Sequence, residues 1–360
     1  MELSAIRAEL PVLGRCAYLN AGSFGPLPRG TVEAMGRRLR RDLTEGRSSR
    51  AYFDEVLGLR ERLRGTLAQL LGAPQGSVAL TTSTTDGCNI AVNALRLGPE
   101  DEIVTTDLEH PALEGALRVC GAKLRVVELR AAAPEEILGA IEAAITPRTR
   151  LIALSHVAWT TGAVMPVREL TGRGIPVLVD GAQGAGAIPI DVAELGCDFY
   201  TVSAQKWLLG PDSTGCLYVR PELVDALRVT FPSYGSWKRG TFELVPGAPR
   251  FEPGWIPAAS LEGLLASLAL AEEAGEERFA RARATAERCR ELLAERVRLV
   301  TPPGQATLVT FAPEGDPAEL IRKLTARGVV IRDLLGLGWA RASLGFWTSD
   351  EDLERLAAGL

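Results

Sequence analysis

Two short stretches hold residues whose types and spacing suit chemistry. V-L-V-D-G-A-Q-G-A-G, from Val177, ends an apolar run on Asp180, and S-A-Q-K-W-L-L-G-P, from Ser203, sets Lys206 between two apolar runs. Taken singly, a lysine beside Gly and Pro reads as a solvated surface charge, and an aspartate at a strand end reads as a cap for the next segment. The pair admits a second reading. A carboxylate at the end of a buried strand is costly without a cationic partner, and a protonated aromatic nitrogen would serve. Lys206 lies one strand-turn-strand unit later, where an amine could form a Schiff base. In pyridoxal phosphate enzymes a Schiff-base lysine and an aspartate facing the pyridinium nitrogen form such a pair. The aspartate keeps the ring an electron acceptor, and the lysine, once freed, is the base that removes the substrate's α-proton.

That chemistry needs a phosphate cradle and a stacking partner. T-T-S-T-T-D-G-C-N, from Thr81, follows a strand and opens a helix, so backbone N–H groups and threonine hydroxyls can face an anion; the same cluster also suits a plain N-cap. Ser203, three residues before Lys206, can add a phosphate hydrogen bond. His110 in T-T-D-L-E-H-P-A-L starts a helix just past a strand, either as a cap or with its ring on a cofactor face. His156, in L-S-H-V-A-W-T-T-G, suits a structural role as well as a site role. Gln183 is placed to donate to a ring oxygen of the cofactor.

These residues require a scaffold of strands that end near one another. Apolar runs of about five residues alternate with helix-period segments through the first two thirds, which predicts strand-helix units around a mainly parallel sheet. Strands are expected near 78–82, 101–106, 124–129, 150–155, 175–180, 199–203 and 215–219, with helices at 54–71, 86–97, 111–120 and 134–145. Residues 232–257, rich in Gly, Pro, Trp and Phe, read as a long ordered loop. A long helical region at 260–298 follows, then strands near 308, 328 and 341 and helices at 317–327 and from 350. The expected organisation is a large domain, 16–250, and a smaller α+β domain built from 1–15 and 251–360.

Composition is that of a globular chain: 360 residues, 46% hydrophobic, 24% charged, formal net charge −5. The acidic balance leaves no basic footprint for nucleic acid. The first residues lack a signal peptide's basic start and apolar core, and no run reaches the ~18 apolar residues of a membrane span, so a cytoplasmic location is the default expectation. Six scattered cysteines without a C-x-x-C pair read as reduced thiols, and two histidines exclude a histidine-rich metal site. No G-x-S-x-G elbow is present.

The ordered series T-T-x-G-x-N, D-x-E-H-P, S-H-V-x-W-x-T-G, V-L-V-D-G-A-Q, S-A-Q-K-W-x-x-G-P and R-A-S-L-G-F resembles that of the class V aminotransferase-like enzymes of fold type I, from about Tyr18 to the C-terminus. That group contains cysteine desulfurases, isopenicillin N epimerase-like proteins, and cystine and cysteine-conjugate C–S lyases. The resemblance implies the PLP-dependent transferase fold, pyridoxal 5'-phosphate as cofactor and Lys206 as the Schiff-base lysine. It further implies Thr84, Thr85 and Ser203 at the phosphate, His110 stacked on the ring, Asp180 at the pyridine nitrogen and Gln183 at the phenolic oxygen. Gln205, assigned to the phosphate, stands where many desulfurases have a second His. Trp159 falls at or beside the position where desulfurases carry Asn, and W-T-T-G is closer to the cystine-lyase branch. Such enzymes are homodimers with sites at the subunit interface, and F-E-P-G-W resembles the loop reaching the partner's phosphate, with Gly254 and Trp255 as the contacts.

Arg341 reads as a strand-edge arginine or, with the family, as the guanidinium fork that takes the substrate's α-carboxylate bidentately. Trp159 and Arg332 are further candidates for substrate contact, and each suits a structural role equally. A desulfurase also needs a mobile thiolate, which family members carry on a loop shortly before this arginine; here no cysteine follows Cys289. The expected reaction is therefore β-elimination from a sulfur-containing amino acid, giving pyruvate and ammonia, with transamination, epimerisation or desulfuration on the same cofactor as alternatives.

Overall fold

The computed structural model describes residues 1–130 and 132–360. Its strands are β1 (Ala17–Tyr18), β2 (Val78–Thr81), β3 (Glu102–Thr106), β4 (Lys123–Val127), β5 (Thr149–Ser155), β6 (Val177–Asp180), β7 (Phe199–Ser203), β8 (Gly215–Val219), β9 (Arg298–Leu299), β10 (Leu308–Ala312), β11 (Val329–Val330), β12 (Arg332–Leu334) and β13 (Trp339–Ser343). Strands β2 to β8 form one sheet in the order β2-β8-β7-β6-β5-β3-β4. The pairs from β7 to β4 are parallel, while β8 runs antiparallel to β7 and β2. Helices cover both faces, so β5 to β8 are buried almost throughout, and that is why they read as continuous apolar runs. The expected α/β class with a mainly parallel central sheet is borne out.

A second, antiparallel sheet, β12-β13-β10-β9, packs on the helix Glu277–Ala294 through Ala286, Cys289 and Leu293. The N-terminal segment joins this part: β1 pairs parallel with β11, and Asn20 bridges to Ser343. The helical region expected at 260–298 is two helices, Ala258–Ala274 and Glu277–Ala294. Gly275, at φ +71°, breaks it, since a residue with positive φ cannot continue a right-handed helix. The first of the two lays Leu261, Leu264 and Leu268 into the large sheet's core. We propose two units divided near residues 20 and 250, rather than at 16 and 250, because β1 is tied to the smaller sheet, with this helix spanning them.

The helix Arg29–Glu45 was not expected from the sequence. It buries Thr31, Ala34 and Arg38 rather than a leucine stripe, and it lies against Ala258–Ala274 at a site where Gly263 meets Met35. The helix expected at 54–71 runs Arg50–Leu70; Val56, Leu59, Leu63 and Leu67 face the core, whereas Leu57 is about half exposed. Among the described residues, no helix is long and apolar enough to cross a membrane.

Candidate active site

Asp180 ends β6 and is buried, because both neighbouring strands are parallel and covered. Its Oδ1 accepts from the Ala182 amide at 2.9 Å, while Oδ2 is buried without a partner. Burial raises its pKa, and the Lys206 charge pulls the other way. Lys206 sits in the turn after β7, partly buried. That turn is closed by Gly210 N–H donating to the Ala204 carbonyl at 2.9 Å and holds Leu209 at φ +57°, a left-handed conformation uncommon for a leucine. Burial lowers the Lys206 pKa to about 8; Asp180 raises it, and Arg341 and Arg332 lower it further. A buried carboxylate oxygen without a partner, coupled to an amine whose pKa is lowered to about 8, is a setting that a cationic aromatic nitrogen would suit.

The phosphate candidates come together across 119 residues of sequence. Ser203 Oγ accepts from the Thr84 amide at 2.9 Å and lies 3.2 Å from Thr84 Oγ1, so the end of β7 and the start of the helix Thr84–Ala94 meet. Gly87 permits this closeness, since a Cβ there would lie 2.7 Å from Thr201 Cγ2. Thr85 is exposed in the first turn of that helix. Gln205 Oε1 is buried without a partner.

The loop from Asn20 to Gly25 lies directly on these groups. Gly25 donates its N–H to the Gln205 carbonyl at 2.7 Å, and a Cβ on Gly25 would come within 2.0 Å of the Lys206 carbonyl. Gln183 Nε2 donates to the Gly22 carbonyl at 2.9 Å, and its Oε1 accepts from Trp207 Nε1 at 3.0 Å. One Nε2 hydrogen of Gln183 remains for a ligand oxygen.

His110 caps the helix Pro111–Val119 by accepting from the Ala112 amide at 3.2 Å, so both sequence readings, cap and flat ring near the site, are compatible. Burial, with Lys206, Arg332 and Arg341 nearby, lowers its pKa to about 4, leaving it neutral. The Trp159 ring meets it edge-on at 5.2 Å and 78°. Trp159 Nε1 donates to the Glu109 carbonyl at 3.1 Å, the Arg332 guanidinium lies 5.8 Å over its ring, and its own carbonyl accepts from Arg341 Nη1 at 2.7 Å. Arg341 lies on β13, is wholly buried, and has Nε and Nη2 without partners. Burial and Arg332 lower its pKa. Gly22 makes room for the fork: a Cβ there would sit 2.7 Å from Arg341 Nη2. A buried guanidinium facing a carbonyl rather than a carboxylate is an anion site in waiting.

Glu109 was missed as a residue in its own right, although it stands in the quoted D-L-E-H-P. Its Oε1 accepts from Thr106 Oγ1 at 2.5 Å and its Oε2 from Ser155 N–H and Oγ at 2.8 and 2.6 Å, tying the ends of β3 and β5. Burial pushes its pKa up to about 7 despite those donors. The signal available in sequence was an acid directly before the candidate histidine in a buried strand-end context. His156 is held by Tyr200, with Nδ1 and the hydroxyl 2.9 Å apart, and burial lowers its pKa to about 4; this is a structural pairing beneath the Gly181–Gly184 turn.

Gly254 and Trp255 do not join the Lys206 cluster within one chain. They line a separate groove of about 810 Å³ with Phe53, Arg60 and Tyr234. Arg60 donates to the Gly254 carbonyl, pairs with buried Glu252, and lies 5.5 Å over the Trp255 ring. The six cysteines are free. Cys88, Cys197, Cys216 and Cys289 are buried, and burial raises each thiol's pKa, to about 12 for Cys197 and Cys289. The stretch between Leu334 and Trp339 is a tight hairpin turn of Leu and Gly, with Gly336 and Gly338 at φ +78° and +69°.

The orphaned Asp180 oxygen, the Lys206 amine, the Thr84–Ser203 cradle and the free Arg341 fork together suit pyridoxal phosphate and an amino acid. Comparison with known proteins agrees. Residues 17–356 match the model of the aminotransferase class-V family. The chain is 33% identical to an isopenicillin N epimerase of Streptomyces clavuligerus, over 95% of this chain and 93% of that one. It is 30% identical to a probable cysteine desulfurase of Xylella fastidiosa strain 9a5c, over 99% and 94%. Among solved structures, the cystine C–S lyase C-DES in complex with its reaction product cysteine persulfide superposes with a TM-score of 0.92 at 29% identity, covering 97% of this chain and 98% of that one. The family match over nearly the whole length, resting on the motifs that build this site, identifies the chain as a pyridoxal-phosphate-dependent enzyme belonging to the class V aminotransferase family.

Proposed function

We propose that the chain is a C–S β-lyase acting on cystine, a cysteine conjugate or a cysteine sulfoxide and releasing pyruvate and ammonia. The observation that carries lyase over desulfurase is the β12–β13 hairpin. Where a desulfurase would extend a mobile loop with a thiol, this chain has the four-residue turn L-G-L-G, without a cysteine or the length to swing one. The likeness to the cystine lyase C-DES supports the same reading.

When bound, pyridoxal phosphate supplies an electron sink conjugated to the substrate's α-carbon. The chain's own residues divide the remaining work. Thr84, Ser203 and the N–H groups opening Thr84–Ala94 would hold the phosphate, with Thr85 and Gln205 beside them. Asp180 would keep a proton on the ring nitrogen, Gln183 would donate its second Nε2 hydrogen to the phenolic oxygen, and neutral His110 would cover one ring face. Arg341 would clamp the α-carboxylate through Nε and Nη2, with the Trp159 carbonyl holding the guanidinium at Nη1. Lys206, its pKa lowered to about 8 by burial, would take the α-proton at Nζ, and the ammonium so formed would return it to the sulfur that departs from Cβ with its electron pair. The aminoacrylate set free then hydrolyses in water.

The groove at Gly254 and Trp255 is rimmed by exposed Phe53 and Tyr234, and exposed Phe242 packs edge-on against Trp237 of its wall. We assign it to a homodimer contact in which these residues approach the partner's site. The deciding experiment is pyruvate release by the cofactor-loaded protein on cystine, with cysteine and an S-substituted cysteine sulfoxide alongside. Pyruvate supports the lyase. Alanine would indicate desulfuration; a racemised amino acid, or a requirement for a keto-acid acceptor, would indicate epimerisation or transamination instead.

A further inference from the structure

A second cavity, of about 350 Å³, lies at the joint between the helices Ala258–Ala274 and Glu277–Ala294. Its size is at the lower end of small-ligand pockets. Leu70, Leu71, Ile188, Leu268, Ala271 and Phe279 supply apolar wall, and Glu272 and Glu276 stand at the rim. One cation is built into it. Arg278, 6% exposed, has Nη1 on the Gly275 carbonyl at 2.9 Å and its guanidinium 4.1 Å over the Phe279 ring. The carboxylate nearest to it, Glu276, is 3.8 Å away and 83% exposed, too distant for a hydrogen bond. The guanidinium therefore lines a cavity whose wall is part apolar and part polar, Thr66 and Gln69 included, with donors left over beyond the Gly275 carbonyl, and burial lowers its pKa.

We propose that this cavity is a second ligand site, taking a small monocarboxylate with a compact apolar tail. The carboxylate seats on Arg278 and the tail lies between Leu268 and Phe279, while the rim acids repel a second negative charge. The position gives occupancy a structural reach. Gly186 in the cavity wall backs onto the turn of Lys206: a Cβ there would meet the Trp207 carbonyl at 2.9 Å. Arg278 begins the helix whose far end packs beneath the sheet bearing Arg341. A ligand bridging the two walls would fix one against the other. The site is independent of which reaction the enzyme catalyses.

The test is calorimetric titration of the cofactor-loaded full chain with 4-methylpentanoate. The chain carries Arg341→Met, so that the fork of the proposed catalytic site cannot take the probe. Saturable binding of one equivalent per chain is expected. Adding Arg278→Met should raise Kd by about tenfold or more, and the neutral probe 4-methylpentanamide should be weaker by a similar factor. Adding Ala271→Phe, which fills the cavity and leaves the cation, should abolish binding, with circular dichroism verifying the fold of each variant. No saturable heat up to about 10 mM, a free energy of only about −3 kcal/mol, would overturn the proposal. So would binding that survives Ala271→Phe, or equal affinity for acid and amide.

Discussion

Replacing Arg341 with methionine should make the protein more stable and a worse enzyme, and the two effects share one cause. The guanidinium is wholly buried, makes one side-chain hydrogen bond, to the Trp159 carbonyl, and leaves two nitrogens without partners. Exchanging buried ionic groups for apolar ones of similar volume often stabilises by about 1–4 kcal/mol. Methionine fills the space and leaves the single Trp159 carbonyl to be offset. With unfolding entropy of roughly 2.1 cal/mol/K per residue, each kcal/mol moves the midpoint of a chain this size by about 1.3 °C, so a rise of roughly 1–5 °C is expected in the cofactor-free protein. The substrate's carboxylate loses its fork, a loss of about 2–5 kcal/mol, or roughly 30- to 4,000-fold in kcat/KM at ~1.4 kcal/mol per factor of ten. Differential scanning fluorimetry reads the first effect. Steady-state kinetics on cystine, against cystamine, which lacks the carboxylates, reads the second, and the wild-type preference for cystine should vanish in the variant. A variant that melts several degrees lower and keeps the preference would show that Arg341 is structural and would refute the reasoning.

Three further outcomes follow from the same geometry. Glu109→Gln keeps every hydrogen bond, since the amide can donate to Thr106 Oγ1 and accept from Ser155. The native carboxyl, raised from 4.5 to about 7, contributes stability that is full below pH 4.5 and lost as pH rises through 7, roughly 3 kcal/mol in all; urea melts across this window should flatten in the variant, and an unchanged slope would argue that Glu109 titrates normally. Alkylation with iodoacetamide under native conditions should leave pyruvate formation nearly intact, because four thiols are buried with raised pKa values and half-buried Cys16 and Cys120 lie outside the site; loss of most activity, prevented by substrate, would reveal a working thiol. Gly25→Ala should reduce turnover and lower stability by about 1–3 kcal/mol, as its Cβ would overlap the Lys206 carbonyl, and a neutral result in both assays would show that the loop yields freely.

The central sheet was readable because burial on both faces writes strands as unbroken apolar runs, and the cofactor candidates were readable because they sit at the ends of those runs. Ser203 and Thr84 illustrate the step from pattern to place: each was singled out separately, and the structure brings them to one hydrogen bond. What escaped depended on relations that one-dimensional pattern does not encode. The helix Arg29–Glu45 packs through small residues and Arg38, so it shows no leucine stripe. Gly275 resembled an ordinary interruption until its positive φ split one expected helix into two. Glu109 was overshadowed by His110, because its importance lies in partners 3 and 46 residues away. Gly254 and Trp255 were read through a two-chain arrangement, and within one chain they line a groove of their own.

The loop at Gly22–Gly25 has a consequence for the order in which the protein is made. It rests on a tie between β1 and β11 and on the contact of Asn20 with Ser343, which join segments more than 300 residues apart. A ribosome emits this loop more than 300 residues before Arg341. A nascent chain can therefore complete the strands carrying Asp180 and Lys206 while the anchor for an amino acid's carboxylate does not yet exist. On the proposed roles, vectorial synthesis would separate cofactor capture from substrate capture in time, and the amine would gain its selectivity only when these two distant segments meet.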